Sequence, residues 1–495
     1  MSDRFSFGEL VGLRSGIDKA LGRTWILALL MGLALMVNVT YVQGFEAQNL
    51  RDDALNGRQY AERDKIDRGP IVAGGERLAW SVPVAGKRFQ RRYKESAIFS
   101  PITGYFSLFS QTGLESAENH VLDGTDPRLA TTDLVNRIIG KRVGGGTVET
   151  TIDPKAQRAA YAALKGSGAR RAAAVAMDAR TGAILVMAST PSYDANDVAV
   201  PDAKKAQAAF TRLNAQPLKP LLNKAANEVF PPGSTFKTVV VAAALAAGSS
   251  GDEQVRAGRS YRPAGAGQAI NNDVGDIGGQ CDLPAIPLID SYAQSCNTTF
   301  AFMGAEKPGN TAVAEQAARF GFYHGIGAGK GLSGAASSFP KTDQPSLSAL
   351  GSIGQGSTVA TPLQMALVAS AAINDGKVMR PYLVGKVRGP DGAVVDETSA
   401  SRLSQALTSG QAAELRAMMR AVITKGTGKR LQGGPIAGGK TGTADIENAG
   451  YNDRWFIGFG PKTDPRYAVA VMTEADGYGI ESGPIAADII GRLGG

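Results

Sequence analysis

Ser234 and Lys237 stand three residues apart at the start of a long apolar stretch. Pro231-Pro232-Gly233 ends the preceding segment, and residues 238–248 are rich in alanine, valine and leucine and end in glycine. This pattern predicts a buried helix with the serine in its first turn and both side chains on one face. A lysine whose pKa is lowered by burial can activate a serine as a nucleophile. The helix N-terminus would offer N–H groups to a developing oxyanion.

Two further short motifs accompany this pair. Ser295-Cys296-Asn297 is the only Ser-x-Asn in the sequence, and Lys440-Thr441-Gly442 is the only Lys-Thr-Gly. A second Ser-x-x-Lys runs from Ser338 to Lys341, but Pro340 is incompatible with a regular helix there. Ser234 and Lys237 are therefore the main candidates, and Ser295, Asn297 and Lys440 could add a second hydroxyl, an amide and a second amine.

The composition excludes several other chemistries. There are only two histidines, His120 and His324, and neither lies beside a Gly-x-Ser-x-Gly elbow. The sequence contains no His-Glu-x-x-His and no Cys-x-x-Cys, so we expect neither a metal nor another cofactor. The net charge is +8, but the lysines and arginines are scattered. This favours a surface facing an anionic cell envelope over one that binds nucleic acid.

The elements that must position these motifs can be predicted from the pattern of apolar residues. A helix starts at Asp153-Pro154, and another closes the chain at Ile485–Leu493. The predicted strands are Ala172–Met177, Ala183–Met187, Ile436–Thr443, Arg454–Phe459 and Tyr467–Thr473. Two early strands and three late ones predict one antiparallel five-stranded sheet, with helices packed on it, in an α/β fold of the α+β type.

Residues 25–42 are apolar enough to cross a bilayer. Basic residues precede them, at Arg14, Lys19 and Arg23, which places the N-terminus in the cytoplasm. A cleaved signal peptide is the alternative, but no small-residue cleavage site follows closely. We therefore predict a single-pass signal anchor at 25–44 after a cytoplasmic tail at 1–24, with the rest of the chain extracytoplasmic.

The sequence has two cysteines, Cys281 and Cys296. Outside the cytoplasm a disulfide between them would persist and would tie the segment that carries Ser295 and Asn297. The alternative is two reduced thiols, each buried separately.

The three motifs, in this order, resemble those of the penicillin-binding proteins and serine β-lactamases. Among these, the chain is most similar to the class B penicillin-binding proteins, particularly the actinobacterial penicillin-binding protein A group. Further matching segments are Arg68-Gly69, Ser100–Tyr105, Ser352–Gly356, Thr361–Ala366, Met379–Val384 and Trp455-Phe456. The resemblance implies an N-terminal β-rich pedestal at 45–146 and a transpeptidase domain at 147–495, with a boundary near Gly144-Gly145-Gly146.

This resemblance implies a peptidoglycan D,D-transpeptidase that β-lactams acylate. Ser234 would attack the D-Ala–D-Ala bond of a stem peptide, and an amine from a neighbouring peptidoglycan strand would then accept the acyl group. The implied catalytic residues are Ser234, Lys237, Ser295, Asn297 and Lys440. The implied substrate-binding residues are Thr441, Gly442, Thr443, Gln355 and Trp455, although packing is an equal alternative for Gln355 and Trp455. The N–H groups of Ser234 and Thr443 would form the oxyanion hole.

Three alternatives to this function remain open in the sequence. A β-lactamase or β-lactam sensor has the same fold, but the chain lacks the Glu-x-x-Leu-Asn of class A β-lactamases. A D,D-carboxypeptidase differs only in using water as the acceptor, and a non-catalytic cell-wall scaffold would have lost a motif residue.

The class B likeness also implies a partner: a polytopic glycosyltransferase of the shape, elongation, division and sporulation (SEDS) family, contacted through the membrane helix and the pedestal.

Overall fold

A computed structural model of the chain describes residues 7–42, 63–86, 88–129, 144–273, 279–326, 331–446 and 449–494. The described chain forms two compact units, residues 1–63 and 64–495. The end of the predicted anchor at 43–44, and residues 45–62 and 130–143 of the predicted pedestal, lie outside the described residues.

The first unit contains a long helix, α1 (Phe7–Tyr41). Its stretch Leu21–Tyr41 is apolar and consists of 21 residues. At 1.5 Å per residue this stretch is about 30 Å long, which matches the hydrocarbon thickness of a bilayer. Its large apolar side chains, such as Trp25, are exposed. Length and composition thus agree with the predicted membrane anchor.

The second unit combines strands and helices. The strands are β1 (Ile71–Ala73), β2 (Glu76–Val84), β3 (Arg88–Tyr93), β4 (Thr147–Thr150), β5 (Ala172–Asp178), β6 (Ile184–Thr190), β7 (Gln254–Arg256), β8 (Ser260–Tyr261), β9 (Ile270–Asn271), β10 (Ala285–Pro287), β11 (Lys377–Met379), β12 (Val384–Arg388), β13 (Val394–Glu397), β14 (Arg402–Gln405), β15 (Gly438–Asp445), β16 (Asn452–Gly460) and β17 (Tyr467–Ala475). The helices are α2 (Ser96–Thr103), α3 (Gly113–Ala117), α4 (Asn119–Leu122), α5 (Pro154–Gly166), α6 (Ala203–Asn214), α7 (Lys224–Asn227), α8 (Lys237–Ala246), α9 (Leu288–Gln294), α10 (Asn297–Ala305), α11 (Asn310–Arg319), α12 (Pro345–Ser352), α13 (Pro362–Ala371), α14 (Ser409–Lys425) and α15 (Gly483–Gly494).

The predicted five-stranded sheet is present, in the order β15-β16-β17-β5-β6, and every pair in it is antiparallel. Both faces of this sheet are covered, so successive residues of β5 are buried in different clusters. Ala172 and Ala174 pack with α5 and α15, whereas Ala173 and Val175 face the larger core. Burial on both faces explains why β5 reads as a continuous apolar run rather than an alternating one.

Helices α8 and α13 lie in the larger core and are buried on all sides. Residues 237–245 of α8 are all buried, and the Thr361 hydroxyl caps α13 by accepting the Gln364 N–H at 3.0 Å. A helix that is apolar all round is stable only inside a large domain. The predicted buried helix after Ser234 is therefore confirmed.

A second, six-stranded sheet has the order β13-β12-β4-β1-β2-β3. Its hairpin β1–β2 turns at Gly74 and Gly75, both with positive φ (52° and 81°), as a tight hairpin turn requires. Strand β4 pairs with β1 in parallel and with β12 antiparallel. The sheet is therefore assembled from the N-terminal residues, from β4 and from a hairpin more than 200 residues further along the chain.

A buried ion cluster stabilises this second sheet. Glu115 is fully buried and accepts hydrogen bonds from Arg91 Nε (2.6 Å), from Arg68 Nε and Nη2 (3.1 and 2.9 Å) and from the Tyr93 hydroxyl (3.1 Å). The Arg68 guanidinium also lies 4.0 Å from the centre of the Phe106 ring. Burial acts to raise the pKa of Glu115, but the two guanidinium groups outweigh it and hold that pKa below its usual value.

Candidate active site

Ser234 lies in a short 3-10 turn, Gly233–Phe236, that leads directly into α8. In a 3-10 turn the side chains at positions i and i+3 are nearly eclipsed, so Ser234 and Lys237 lie on the same side. The serine is partly exposed and the lysine is fully buried. Contacts from outside hold the turn: the Gly233 N–H donates to the Gly354 carbonyl at 3.0 Å. The Phe236 ring stacks on Phe339 at 5.2 Å and meets Phe322 edge-on at 5.8 Å.

Lys237 is held by the Ser-x-Asn motif. Its Nζ donates to the Ser295 carbonyl (2.7 Å), to the Ser295 Oγ (3.1 Å) and to the Asn297 Oδ1 (2.6 Å). The Phe300 ring, one helical turn further along α10, lies 5.6 Å from the same nitrogen. The amine is therefore oriented toward the motif by three oxygens and shielded by an aromatic ring.

Lys440 reaches the same hydroxyl from the opposite side. It lies on β15, is fully buried, and its Nζ donates to the Ser295 Oγ at 2.9 Å and to the Thr441 carbonyl at 2.9 Å. Ser295 thus joins two lysine amines through one oxygen atom. Its backbone has φ 67° and ψ 38°, in the left-handed region, between the end of α9 and the start of α10. The three sequence motifs therefore meet at Ser295.

Strand β15 packs directly against the turn that carries Ser234. A Cβ added to Gly442 would lie 2.8 Å from the Pro232 carbonyl oxygen and 2.8 Å from the Thr235 nitrogen. The family resemblance implies that Gly442 binds substrate, and the structure gives a further reason for a glycine at this position. Glycine lets β15 approach the turn that carries Ser234 at backbone distance.

The two threonines of this strand already have partners within the chain. The Thr441 hydroxyl lies 2.6 Å from the Thr427 hydroxyl, and the Thr443 hydroxyl accepts the Gly479 N–H at 3.0 Å. A hydroxyl that accepts one hydrogen bond can still donate its own proton. The partners Thr427 and Gly479 were missed in the sequence analysis because no motif marks them.

For Trp455 and Gln355 the sequence leaves two roles open, packing or substrate contact, and the structure distinguishes between them for Trp455. It is fully buried, its Nε1 donates to the Pro231 carbonyl at 2.8 Å, and its ring meets Phe230 edge-on at 6.5 Å. This favours packing beneath the nucleophile turn over the predicted contact with substrate. Gln355 is partly exposed and follows Gly354, whose carbonyl holds Gly233.

A disulfide joins Cys281 to Cys296, with a Cα–Cα distance of 5.4 Å. Both sulfurs are buried with Ala257 and Ile286. Because Cys296 stands between Ser295 and Asn297, the bridge fixes the motif covalently to the loop before α9.

A buried acidic cluster lies in the sheet behind the nucleophile turn. Asp453, next to Arg454 and Trp455 on β16, is directly opposite Glu474 on β17. Glu474 and Glu228 both accept from Arg171, at 2.6 and 2.5 Å. Burial, with a smaller contribution from Glu474, raises the pKa of Asp453 to about 7, although Arg171 opposes the shift.

Comparison with known proteins agrees with this architecture. Residues 172–491 match the family described as the penicillin binding protein transpeptidase domain, and residues 68–148 match the penicillin binding protein A dimerisation domain. The chain therefore belongs to the penicillin-binding protein transpeptidases. Within that family it is a class B protein.

Relatives and solved structures cover nearly the whole chain. The peptidoglycan D,D-transpeptidase PbpA of Mycolicibacterium smegmatis is 36% identical, over 96% of this chain and 97% of that protein. PbpA of Mycobacterium tuberculosis is 35% identical over the same shares. The M. tuberculosis penicillin-binding protein A structure, solved as a penicillin G acyl-enzyme complex, has a TM-score of 0.81 at 35% identity and covers 87% of this chain and 100% of that one.

Proposed function

We propose that this chain, a peptidoglycan D,D-transpeptidase, works through an acyl-enzyme on Ser234. Lys237 in its uncharged form takes the hydroxyl proton as Oγ attacks the carbonyl carbon of the stem peptide's D-Ala–D-Ala bond. The Ser295 hydroxyl passes a proton to the leaving nitrogen, and D-Ala departs. β-Lactams acylate the same serine, because their ring amide presents an equivalent carbonyl.

One observation carries this proposal: the Ser295 Oγ lies within hydrogen-bond distance of both lysine amines, 3.1 Å from Lys237 Nζ and 2.9 Å from Lys440 Nζ. Two ammonium groups at this separation would repel each other, so the arrangement favours one uncharged amine. A hydroxyl between an amine and an ammonium can relay a proton in either direction. This connects the base beside the nucleophile with a fixed positive charge that attracts the terminal carboxylate of the substrate.

The remaining residues of the site bind the substrate. Thr441 and Thr443 offer hydroxyl protons to the carboxylate, and Asn297 holds an amide group of the donor peptide. The N–H groups of Ser234 and Thr443 stabilise the oxyanion. The close packing of Gly442 on the Pro232–Thr235 backbone supports this last role, because it brings the β15 backbone next to the nucleophile.

The nucleophile can be tested by changing Ser234 to Ala in the full-length chain. Because this change removes the attacking oxygen, we expect no labelling by a fluorescent penicillin and no adduct by intact-mass analysis. Ser338→Ala is the matched control, since it alters the other Ser-x-x-Lys and should label like the wild type. Labelling of the Ser234→Ala protein at the wild-type rate would disprove the assignment.

We also propose an arrangement for the whole protein. Residues 1–24 are cytoplasmic, 25–44 anchor the chain in the membrane, 45–146 form the pedestal and 147–495 form the extracytoplasmic catalytic domain. The apolar helix Leu21–Tyr41 supports the anchor. The partner would be a SEDS-family glycosyltransferase that supplies nascent glycan strands and contacts the anchor and the pedestal.

A further inference from the structure

Asp273 contacts the Ser295-Cys296-Asn297 motif without belonging to any of the three motifs. The Asn297 amide, whose oxygen accepts from Lys237, uses its nitrogen to donate to the Asp273 Oδ1 at 3.1 Å and to the Asn271 carbonyl at 3.2 Å. Asp273 itself is exposed. A carboxylate at the surface is therefore linked to the proposed base through a single amide group.

The segment that carries Asp273 is held firmly on α10. The Asn272 Oδ1 accepts the Thr298 N–H at 3.2 Å, and its Nδ2 donates to the Gly258 and Cys281 carbonyls at 3.0 and 3.2 Å. Cys281 is in turn bridged to Cys296. Because these contacts hold the residue directly before Asp273, and Asn297 contacts its carboxylate, that carboxylate has a defined position relative to Asn297.

The charges in the site indicate what a carboxylate at the position of Asp273 could bind. Lys237 and Lys440 converge on Ser295, so the interior of the cleft is positive or neutral, which suits the anionic end of the acyl donor. The acceptor, however, is a primary amine, and a lysine-like amine is protonated in neutral water. An approaching ammonium is repelled by the interior and needs a carboxylate at the entrance.

We propose that Asp273 binds the ammonium group of the acceptor peptide and positions it for attack on the acyl-enzyme. This inference rests on the proposed function of Ser234. It makes Asp273 a specificity-determining residue for the second half-reaction, favouring an amine over water. Acylation, the first half-reaction, does not require it.

The ammonium bound at Asp273 gives one proton to water and becomes an amine. The nitrogen attacks the ester carbonyl carbon, so that a C–N bond forms and the bond to the Ser234 oxygen breaks. The second nitrogen proton goes to Lys237 and from there to the departing serine oxygen, which restores the free enzyme.

The test compares Asp273→Asn with wild type in the full-length protein, using a D-Ala–D-Ala ester donor. Aminolysis is measured against hydrolysis at increasing concentrations of two acceptors: a lysine-type amine, which is cationic, and hydroxylamine, which is uncharged at neutral pH. Asp391→Asn, on the exposed turn between β12 and β13, removes the same charge far from the site. Labelling by a fluorescent penicillin monitors acylation.

We expect Asp273→Asn to raise the apparent KM for the cationic acceptor about three- to fivefold, as for an exposed ion pair, and to leave hydroxylamine and penicillin labelling unchanged. Added salt should raise the wild-type KM for the cationic acceptor toward the KM of the variant. An equal loss with both acceptors, a slower acylation or an unchanged KM would each overturn the proposal. Failure of the wild type to form any adduct on Ser234 would instead refute the proposed function.

Discussion

Ser295 adopts a backbone conformation that non-glycine residues rarely use. Its φ of 67° places it in the left-handed region, which costs about 1–2 kcal/mol for a residue with a Cβ. The conformation ends α9 and starts α10 within two residues, and it directs the Ser295 carbonyl and hydroxyl to Lys237 together. A glycine would relieve the strain but would lack the hydroxyl that joins the two lysines, so the chemistry explains why a serine stands here.

Asp453 is a residue whose titration should be visible in the stability of the protein. The group is 2% exposed, its Oδ1 has no hydrogen-bond partner among the described residues, and Glu474, Glu228 and Arg171 surround it. Its pKa is about 7 when folded and near 3.8 when unfolded. Because the folded state binds this proton more tightly than the unfolded state, the contribution of Asp453 to the free energy of unfolding should fall as pH rises from about 4 to about 7 and stay level above that.

Asp453→Asn removes this titration. We expect the variant to gain stability relative to wild type across that window, by up to about 4 kcal/mol at pH 8, measured by urea unfolding at several pH values. Asp488→Asn, on the exposed face of α15, is the control and should give a difference that does not change with pH in this way. Parallel curves for Asp453→Asn and wild type would contradict the prediction.

Among single residues, those within short motifs were predictable, and those that support them were not. Ser234, Lys237 and the Ser-x-Asn pair could be found because their chemistry depends on fixed local spacing. Asp273 contacts Asn297 and Thr427 contacts Thr441 through tertiary packing, which leaves no periodic or motif signal. The burial of Trp455 likewise depends on the position of the Phe230–Pro231 segment across the sheet edge.

At the scale of elements, the geometry of the cleft depends on how closely β15 meets the Ser234 turn. Gly442→Ala would add a Cβ 2.8 Å from two backbone atoms of that turn. Overpacking of this kind typically costs about 1–3 kcal/mol. Because the strain falls on the catalytic elements, we expect the second-order rate of acylation by penicillin to fall about ten- to a hundredfold, as measured by stopped-flow labelling.

Gly410→Ala is the matched control for this change. An added Cβ at Gly410, in the first turn of α14, meets nothing within 4 Å. Its acylation rate should equal that of the wild type. If Gly442→Ala also reacted at the wild-type rate, the close approach of β15 and the turn would be unimportant for catalysis.

The strands of the central sheet were predicted within two or three residues of their observed ends. Strands β5, β6 and β17 are mostly apolar, and such runs mark buried strands in a sequence. The short strands β4, β12 and β13 carried no such signal. Their partners are distant in sequence, and only the assembled sheet defines their register.

For the molecule as a whole, the buried cluster around Glu115 is a sensitive point of the second sheet. Glu115→Gln would remove the carboxylate charge that the buried Arg68 and Arg91 both contact. Removing one partner of a buried ion pair typically costs about 3–5 kcal/mol. We expect the midpoint temperature for thermal unfolding of the second sheet to fall clearly, as measured by calorimetry on the full-length protein.

Glu397→Gln provides the comparison. It breaks the pair with Lys386 on the same sheet, where both side chains are at least one-third exposed. An exposed pair contributes at most about 1 kcal/mol, so the midpoint should hardly move. Equal shifts for the two variants would mean that the Glu115 cluster contributes no more than a surface contact.

The disulfide between Cys281 and Cys296 has a practical consequence. Chain synthesised in a reducing cytoplasm and chain exported to an oxidising environment differ by a covalent bond beside the reactive centre. Two preparations of identical sequence can thus be different chemical species, and if the bond changes the reactivity of Ser234, a mixture of them would react with a β-lactam in two phases. The redox history of a sample is as much a part of its identity as its amino-acid order.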